Sequence, residues 1–154
     1  MAEEAQIVVG PVLETAVSDE RVAFVEKRLE EFNEARNPVL RRMHRLPDGG
    51  DEPVQVYAVA DGEVVGGVVG VIWAEWLHID LLWVHEAQRG NGLGARLMAA
   101  AERIARERGC GHARTETWDF QAPRFYRAQG YRVVGEVRDY PPGAIEYLLI
   151  KDLA

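Results

Sequence analysis

A single cysteine, Cys110, excludes an intramolecular disulfide and a cysteine-built metal centre, and no metal is expected. No apolar run approaches membrane-spanning length. The opening MAEEAQIVVG is acidic and lacks the apolar core of an export signal, so a cytoplasmic chain without a membrane partner is expected. Basic charge is also short. Eighteen Lys and Arg against 25 Asp and Glu give a formal charge of −7, which disfavours a nucleic-acid surface and suits a cationic small molecule such as an amine. Internal repeats, low-complexity tracts and linkers are missing too. With 47% hydrophobic and 28% charged residues over 154 positions, one globular domain spanning 1–154 is expected.

The elements follow from periodicity and breakers. Gln6 to Leu13 reads as a first strand. Ser18 or Asp19 caps a helix to Arg36, in which Val22, Val25, Leu29 and Phe32 recur at helical spacing. Asn37-Pro38 stops it, and Val39 to Leu46 forms a short second helix before the loop PDGGDEP. Val54–Ala60 and Glu63–Ile72 are strands joined at Asp61-Gly62, a hairpin signal. Gly66, Gly67 and Gly70 point to a bulge or a close backbone contact in the second of them. Glu75–Val84 is a strand, Leu93–Arg108 a helix, His112–Asp119 a strand and Ala122–Gln129 a short helix. Strands over Tyr131–Val137 and Ile145–Lys151 close the chain.

The stretch LLWVHEAQRGNGLGARL, Leu81 to Leu97, carries the chemistry. A strand ends at Val84, and a glycine turn opens directly into a helix. Glycines permit positive φ and close approach of a ligand, while the helix start presents free N–H groups and the positive end of its dipole. A phosphate or pyrophosphate suits such a turn. A Walker loop is excluded because Ala95 and Arg96 follow Gly94, and the G-x-G-x-G spacing of Gly90, Gly92 and Gly94 fails the dinucleotide fingerprint.

Arg89-Gly90-Asn91-Gly92-Leu93-Gly94 does fit R-x-x-G-x-G after a strand ending L-x-V, and so resembles motif A of the GNAT N-acetyltransferase superfamily. A second stretch, DFQAPRFYRAQGY, resembles that family's N-x-x-A-x-x-x-Y helix followed by G-[FY]. The match covers Ala122, Tyr126, Gly130 and Tyr131, with Asp119 in place of the usual Asn. The element order β-α-α-β-β-β-α-β-α-β-β is also the GNAT order, so the resemblance spans nearly the whole chain. It implies an α/β fold with a mixed, mostly antiparallel sheet flanked by helices, and acetyl-coenzyme A as the cofactor. Pairing of two copies through a sheet edge is a common arrangement in the family.

The resemblance assigns the cofactor to Arg89 through Gly94 by their backbone N–H groups, with charge from Arg89. The strand edge at Leu82, Trp83 and Val84 takes pantetheine as an added strand. Asp119, Ala122, Phe125 and Tyr126 complete the cofactor set. Tyr126 is the candidate general acid for the departing thiolate. His78 is one candidate base. Counted back from Val84, it shares a strand face with Asp80, Leu82 and Val84, so Asp80 can orient it or attract the ammonium. Glu116 is the other candidate, and a salt-bridged rim position beside its alternation partners Arg114 and Trp118 is the alternative for it. Trp76 and Trp118 are candidates to line the acceptor pocket, and a core position is the alternative for each. The expected reaction is transfer of acetyl to a primary amine of a small molecule by direct attack in a ternary complex. An acyl-coenzyme A sensor without turnover and a protein or peptide acetyltransferase are the competing readings.

Overall fold

The computed structural model describes residues 10–154. Half of the expected first strand over Gln6–Leu13 lies outside the described residues, and Gly10–Leu13, which are described, form no strand. The chain divides into two compact units, Met1–Arg41 and Arg42–Ala154. From Asp19 on, the first is helical. Its helix α1 (Asp19–Arg36) is capped by the Ser18 side chain, which accepts from Arg21 N at 3.3 Å, and Asp19 and Glu20 complement the dipole in its first turn. Asn37 ends α1 and turns its Oδ1 to the N–H groups of Val39 (2.9 Å) and Leu40 (3.2 Å), which starts α2 (Pro38–His44). Among the described residues no helix is long and apolar enough to cross a membrane.

The second unit is built on a six-stranded sheet: β1 (Glu52–Ala60), β2 (Glu63–Trp73), β3 (Trp76–Val84), β4 (His112–Trp118), β5 (Arg132–Arg138) and β6 (Ile145–Asp152). Their spatial order is β1-β2-β3-β4-β6-β5. Every pairing is antiparallel except β3 with β4. The β1–β2 hairpin turns at Asp61 and Gly62, both at positive φ (50° and 82°), as a two-residue loop with right-twisted strands requires. The β2–β3 hairpin turns instead on Ala74 and Glu75, at φ 47° and 67°, with no glycine to announce it. Helix α3 (Leu93–Glu107) lays Leu97, Met98, Ala101 and Ala105 on one face of the sheet, against Val54, Val68, Ile72, Leu77, Ile79 and Leu149. Helix α4 (Pro123–Ala128) adds Tyr126 to the same core. Cys110 is buried in it, and burial pushes its thiol up.

Two irregularities break the middle of the sheet. The parallel β3–β4 ladder runs only from Trp76↔His112 to Ile79↔Thr115, after which the strands part. The second lies between β2 and β3, where the register steps from Val69↔Leu81 to Gly70↔Ile79 and leaves Asp80 as the unpaired residue of a bulge. A Cβ at Gly70 would stand 2.3 Å from the His78 carbonyl oxygen, so only glycine lets β2 run this close to the bulged strand. Gly66 and Gly67 likewise sit against the Trp83 carbonyl and the Tyr57 ring. The close contact expected of these glycines is present.

The bulge also corrects an expectation. His78, Asp80, Leu82 and Val84 do not share one face, because the extra residue inverts the alternation. Leu77 and Ile79 before it, and Leu82 and Val84 after it, all face the α3 core. Trp76 and His78 lie on the other face.

Candidate active site

The parting of β3 and β4 opens a cleft of about 860 Å³ on the second unit. One wall is the edge of β3 beyond Ile79, which has no strand partner on the β4 side. At the apex of the fork, the buried Thr115 hydroxyl donates to the Ile79 carbonyl at 3.1 Å and fixes the point of divergence. The far end of the cleft is the start of α3. Its N-cap is Gly92 in the left-handed region (φ 76°), no side chain caps it, and Gly90 lies at φ 81°. A Cβ at either glycine would meet nothing within 4 Å, so what these positions provide is positive φ and bare backbone. The first N–H groups of an α-helix have no intrahelical acceptor, and here they are exposed to the cleft with the positive end of the dipole behind them. The residues therefore fit a pyrophosphate. Gly94 serves differently, since a Cβ there would press on the Phe125 ring at 3.2 Å. Its bareness lets α4 dock on the first turn of α3.

Leu82, Trp83, Val84, Arg89, Gly90, Gly92, Leu93, Gly94, Ala122, Phe125 and Tyr126 all line this cleft. Asn91 and Asp119 do not. Arg89 donates from Nε to the Val84 carbonyl at 3.0 Å, which ties the glycine turn to the end of β3. Sequence reasoning missed Thr115, Thr117, Phe120, Gln121 and Gln129, which line the same cleft. Gln121 Oε1 accepts from Trp118 N at 3.0 Å, and Thr117 Oγ1 accepts from Ala122 N at 3.4 Å; both shape the turn into α4. An amide and a hydroxyl spaced around that turn are the usual signature of such local capping.

Tyr126 is 6% exposed, with its ring edge-on to Phe125 and to Tyr131. Burial pushes its phenol up, and hydrogen bonding with the Thr115 side chain opposes this in part. Tyr131 is held in turn by the buried Glu102, to which it donates at 3.2 Å, and Lys151 caps the same carboxylate at 2.7 Å.

The two base candidates are bonded to each other. His78 Nε2 lies 2.6 Å from Glu116 Oε2, and Arg114 donates to Glu116 Oε1, also at 2.6 Å. On the other side of the ring, His78 Nδ1 is 3.4 Å from Asp80 Oδ1. Burial alone would raise the Glu116 carboxyl, but the hydrogen bonds and charges of Arg114 and His78 outweigh it and hold the group below its ordinary value. Arg114 enters as the partner that keeps Glu116 ionised.

A second cavity, of about 700 Å³, opens on the sheet face opposite α3, walled by Trp73, Trp76, Val71, Leu148 and Ile150. His78 and Arg114 line this cavity, while Asp80 and Glu116 line the cleft. The four charged and polar groups thus stand on the partition between the two spaces. Trp76 belongs to the cavity wall. Trp118 lines neither space; it stacks on Phe120 and donates from Nε1 to the Tyr140 carbonyl at 2.7 Å.

Residues 15–131 match the acetyltransferase (GNAT) family. The blasticidin-S acetyltransferase of Streptomyces morookaense is 49% identical over 131 residues, which is 82% of this chain and 96% of that protein. A crystal structure of an acetyltransferase from Bacillus cereus superposes with a TM-score of 0.75 at 31% identity, covering 92% of this chain and 97% of the other. An aminoglycoside 6'-N-acetyltransferase complexed with coenzyme A shares the fold, with a TM-score of 0.61 at 17% identity over 90% of this chain and 96% of its own. The chain belongs to the GNAT acetyltransferase family, and its cofactor is acetyl-coenzyme A.

Proposed function

We propose that this chain moves the acetyl group of acetyl-coenzyme A to a primary amine of a small molecule, by direct attack within a ternary complex. The observation that carries the reading is the partition. Glu116, bonded to both His78 and Arg114, and Asp80, 3.4 Å from the far side of the His78 ring, line the cofactor cleft, while His78 and Arg114 line the aromatic cavity. An ammonium entering from the cavity meets His78 at the wall, and the imidazole takes its proton while Glu116 holds the ring in place. Acetyl-coenzyme A supplies the thioester; the C–S bond breaks as the C–N bond forms. Tyr126, buried in the wall of the cleft, keeps its proton through the neutral range, which supports its role as donor to the departing thiolate. Arg89, Gly90, Gly92, Leu93 and Gly94 cradle the pyrophosphate.

A cavity of bounded size with two tryptophans favours a small acceptor over a protein tail. The relative that acts on blasticidin-S makes that compound the first acceptor to try. The family match from 15 to 131 runs through both compact units, which supports reading the whole chain as one catalytic domain. The test is thiol release from acetyl-coenzyme A with blasticidin-S and a panel of simple amines, for the wild type, Tyr126→Phe and His78→Ala. Both variants are expected to lose kcat by roughly 10²–10⁴-fold, with little change in acetyl-coenzyme A affinity. Wild-type turnover in either variant removes that residue from the mechanism, and a wild type inert toward every amine removes the amine reading.

A further inference from the structure

The aromatic cavity has a second charged end. Asp51 lines it at the entry to β1, and its carboxylate makes no hydrogen bond or ion pair with any described residue. The other ionisable side chains lining the cavity are His78 and Arg114, and Arg114 is already neutralised by Glu116 at 2.6 Å. Between the two ends stand Trp73 and Trp76, and both are fixed. Trp73 donates from Nε1 to the Gly49 carbonyl at 3.0 Å, and Trp76 stacks on His112 with ring centroids 4.6 Å apart.

The register gives the span. Glu52 pairs with Ile72, so Asp51, the residue just before the ladder begins, stands level with Trp73, which pairs with Trp76. His78 lies two residues further along β3. Two strand spacings and two residues of rise place the backbones of Asp51 and His78 about 12 Å apart.

We propose that Asp51 is a specificity-determining residue that anchors a second cationic group of the acceptor, so that this site takes elongated molecules with positive charge at both ends. This rests on the amine-acetylation reading above and names the class of amine. The reacting end reaches His78, the body lies against the two tryptophans, and the far cation meets the unpaired carboxylate, where indole faces add cation–π attraction. A mono-cation of equal length leaves Asp51 without a partner and gains nothing from it.

The experiment compares wild type, Asp51→Asn and Asp51→Glu with diaminooctane, diaminopropane and octylamine, by thiol release and by calorimetric binding. Diaminooctane is expected to lose about tenfold or more in kcat/KM in Asp51→Asn, through KM, with kcat held. Octylamine and diaminopropane, which cannot engage both ends, are expected to be unchanged. Asp51→Glu is expected to recover most of the diaminooctane loss, and an unchanged melting temperature shows that the fold is intact. An equal effect on octylamine, or none on diaminooctane, overturns the proposal. A wild type that turns over no amine refutes the reaction instead, and the subsite is then judged on binding: equal diaminooctane affinity in wild type and Asp51→Asn overturns it.

Discussion

At Glu116, burial and bonding pull the carboxyl in opposite directions, and bonding wins. A carboxyl whose folded pKa lies below its unfolded value stabilises the fold at neutral pH. That contribution fades as pH falls below about 4.3 and through the folded value. Glu116→Gln is therefore expected to flatten the acid limb of stability against pH, measured by urea unfolding between about pH 3 and 7. A limb as steep as that of the wild type would mean Arg114 and His78 do not hold the carboxylate in solution. Tyr126 has the reverse sign. Burial raises its phenol, so the fold benefits from the protonated ring up to about pH 10 and loses that benefit as pH climbs through the raised value. The Arg114–Glu116–His78 set is also where sequence reading stopped short. Alternation places His78 and Glu116 on known strands, but no pattern states that two distant strands pair in parallel with His78 opposite Arg114.

At the scale of elements, the start of α3 and the bulged β3 carry the proposed function, and each depends on a bare glycine. Gly92→Val puts a β-branched residue at φ 76°, a conformation such residues rarely adopt, and a side chain where the ligand backbone must pass. The expected outcome is a folded protein without the thermal shift that acetyl-coenzyme A gives the wild type. That shift corresponds to about 2.7 kcal/mol at a hundredfold excess over Kd. A full shift in the variant would break the assignment of the loop. The loop was legible because six residues between a strand and a helix carry their own spacing signal. The bulge was not. Three glycines in β2 announce close contact, yet Asp80 is an ordinary residue in an unbroken run, and only pairing with β2 reveals it as the extra one. The Ala74-Glu75 turn escaped for the same reason, since left-handed φ without glycine leaves no mark in the sequence. Apart from the first strand, which Gly10–Leu13 do not form, element boundaries fell within about two residues, as periodicity and breakers allow.

Across the whole chain, the charge of −7 becomes a statement about rates. An acidic surface draws cationic molecules toward it, and salt screens that attraction over a Debye length of about 10 Å at 0.1 M. For a doubly cationic acceptor, kcat/KM is expected to fall as ionic strength rises from about 0.01 to 0.15 M, with kcat steady. A neutral or anionic acceptor would show no fall, and a rise would point to an anionic substrate. Long-range order of the strands was the least readable feature at this scale. The last strand, β6, inserts between β4 and β5, and nothing in its composition distinguishes an interior position from an edge.

The unpaired Asp80 gives the two halves of β3 opposite parity. Odd-numbered side chains face α3 before it and even-numbered ones after it. Loss of that one residue would restore a regular ladder and act as a frameshift on the protein's surface. Whichever half kept its packing under α3, the other would exchange core side chains for site side chains. A relative with one residue fewer at this position is therefore expected to differ in acceptor chemistry, even when every motif around it is intact.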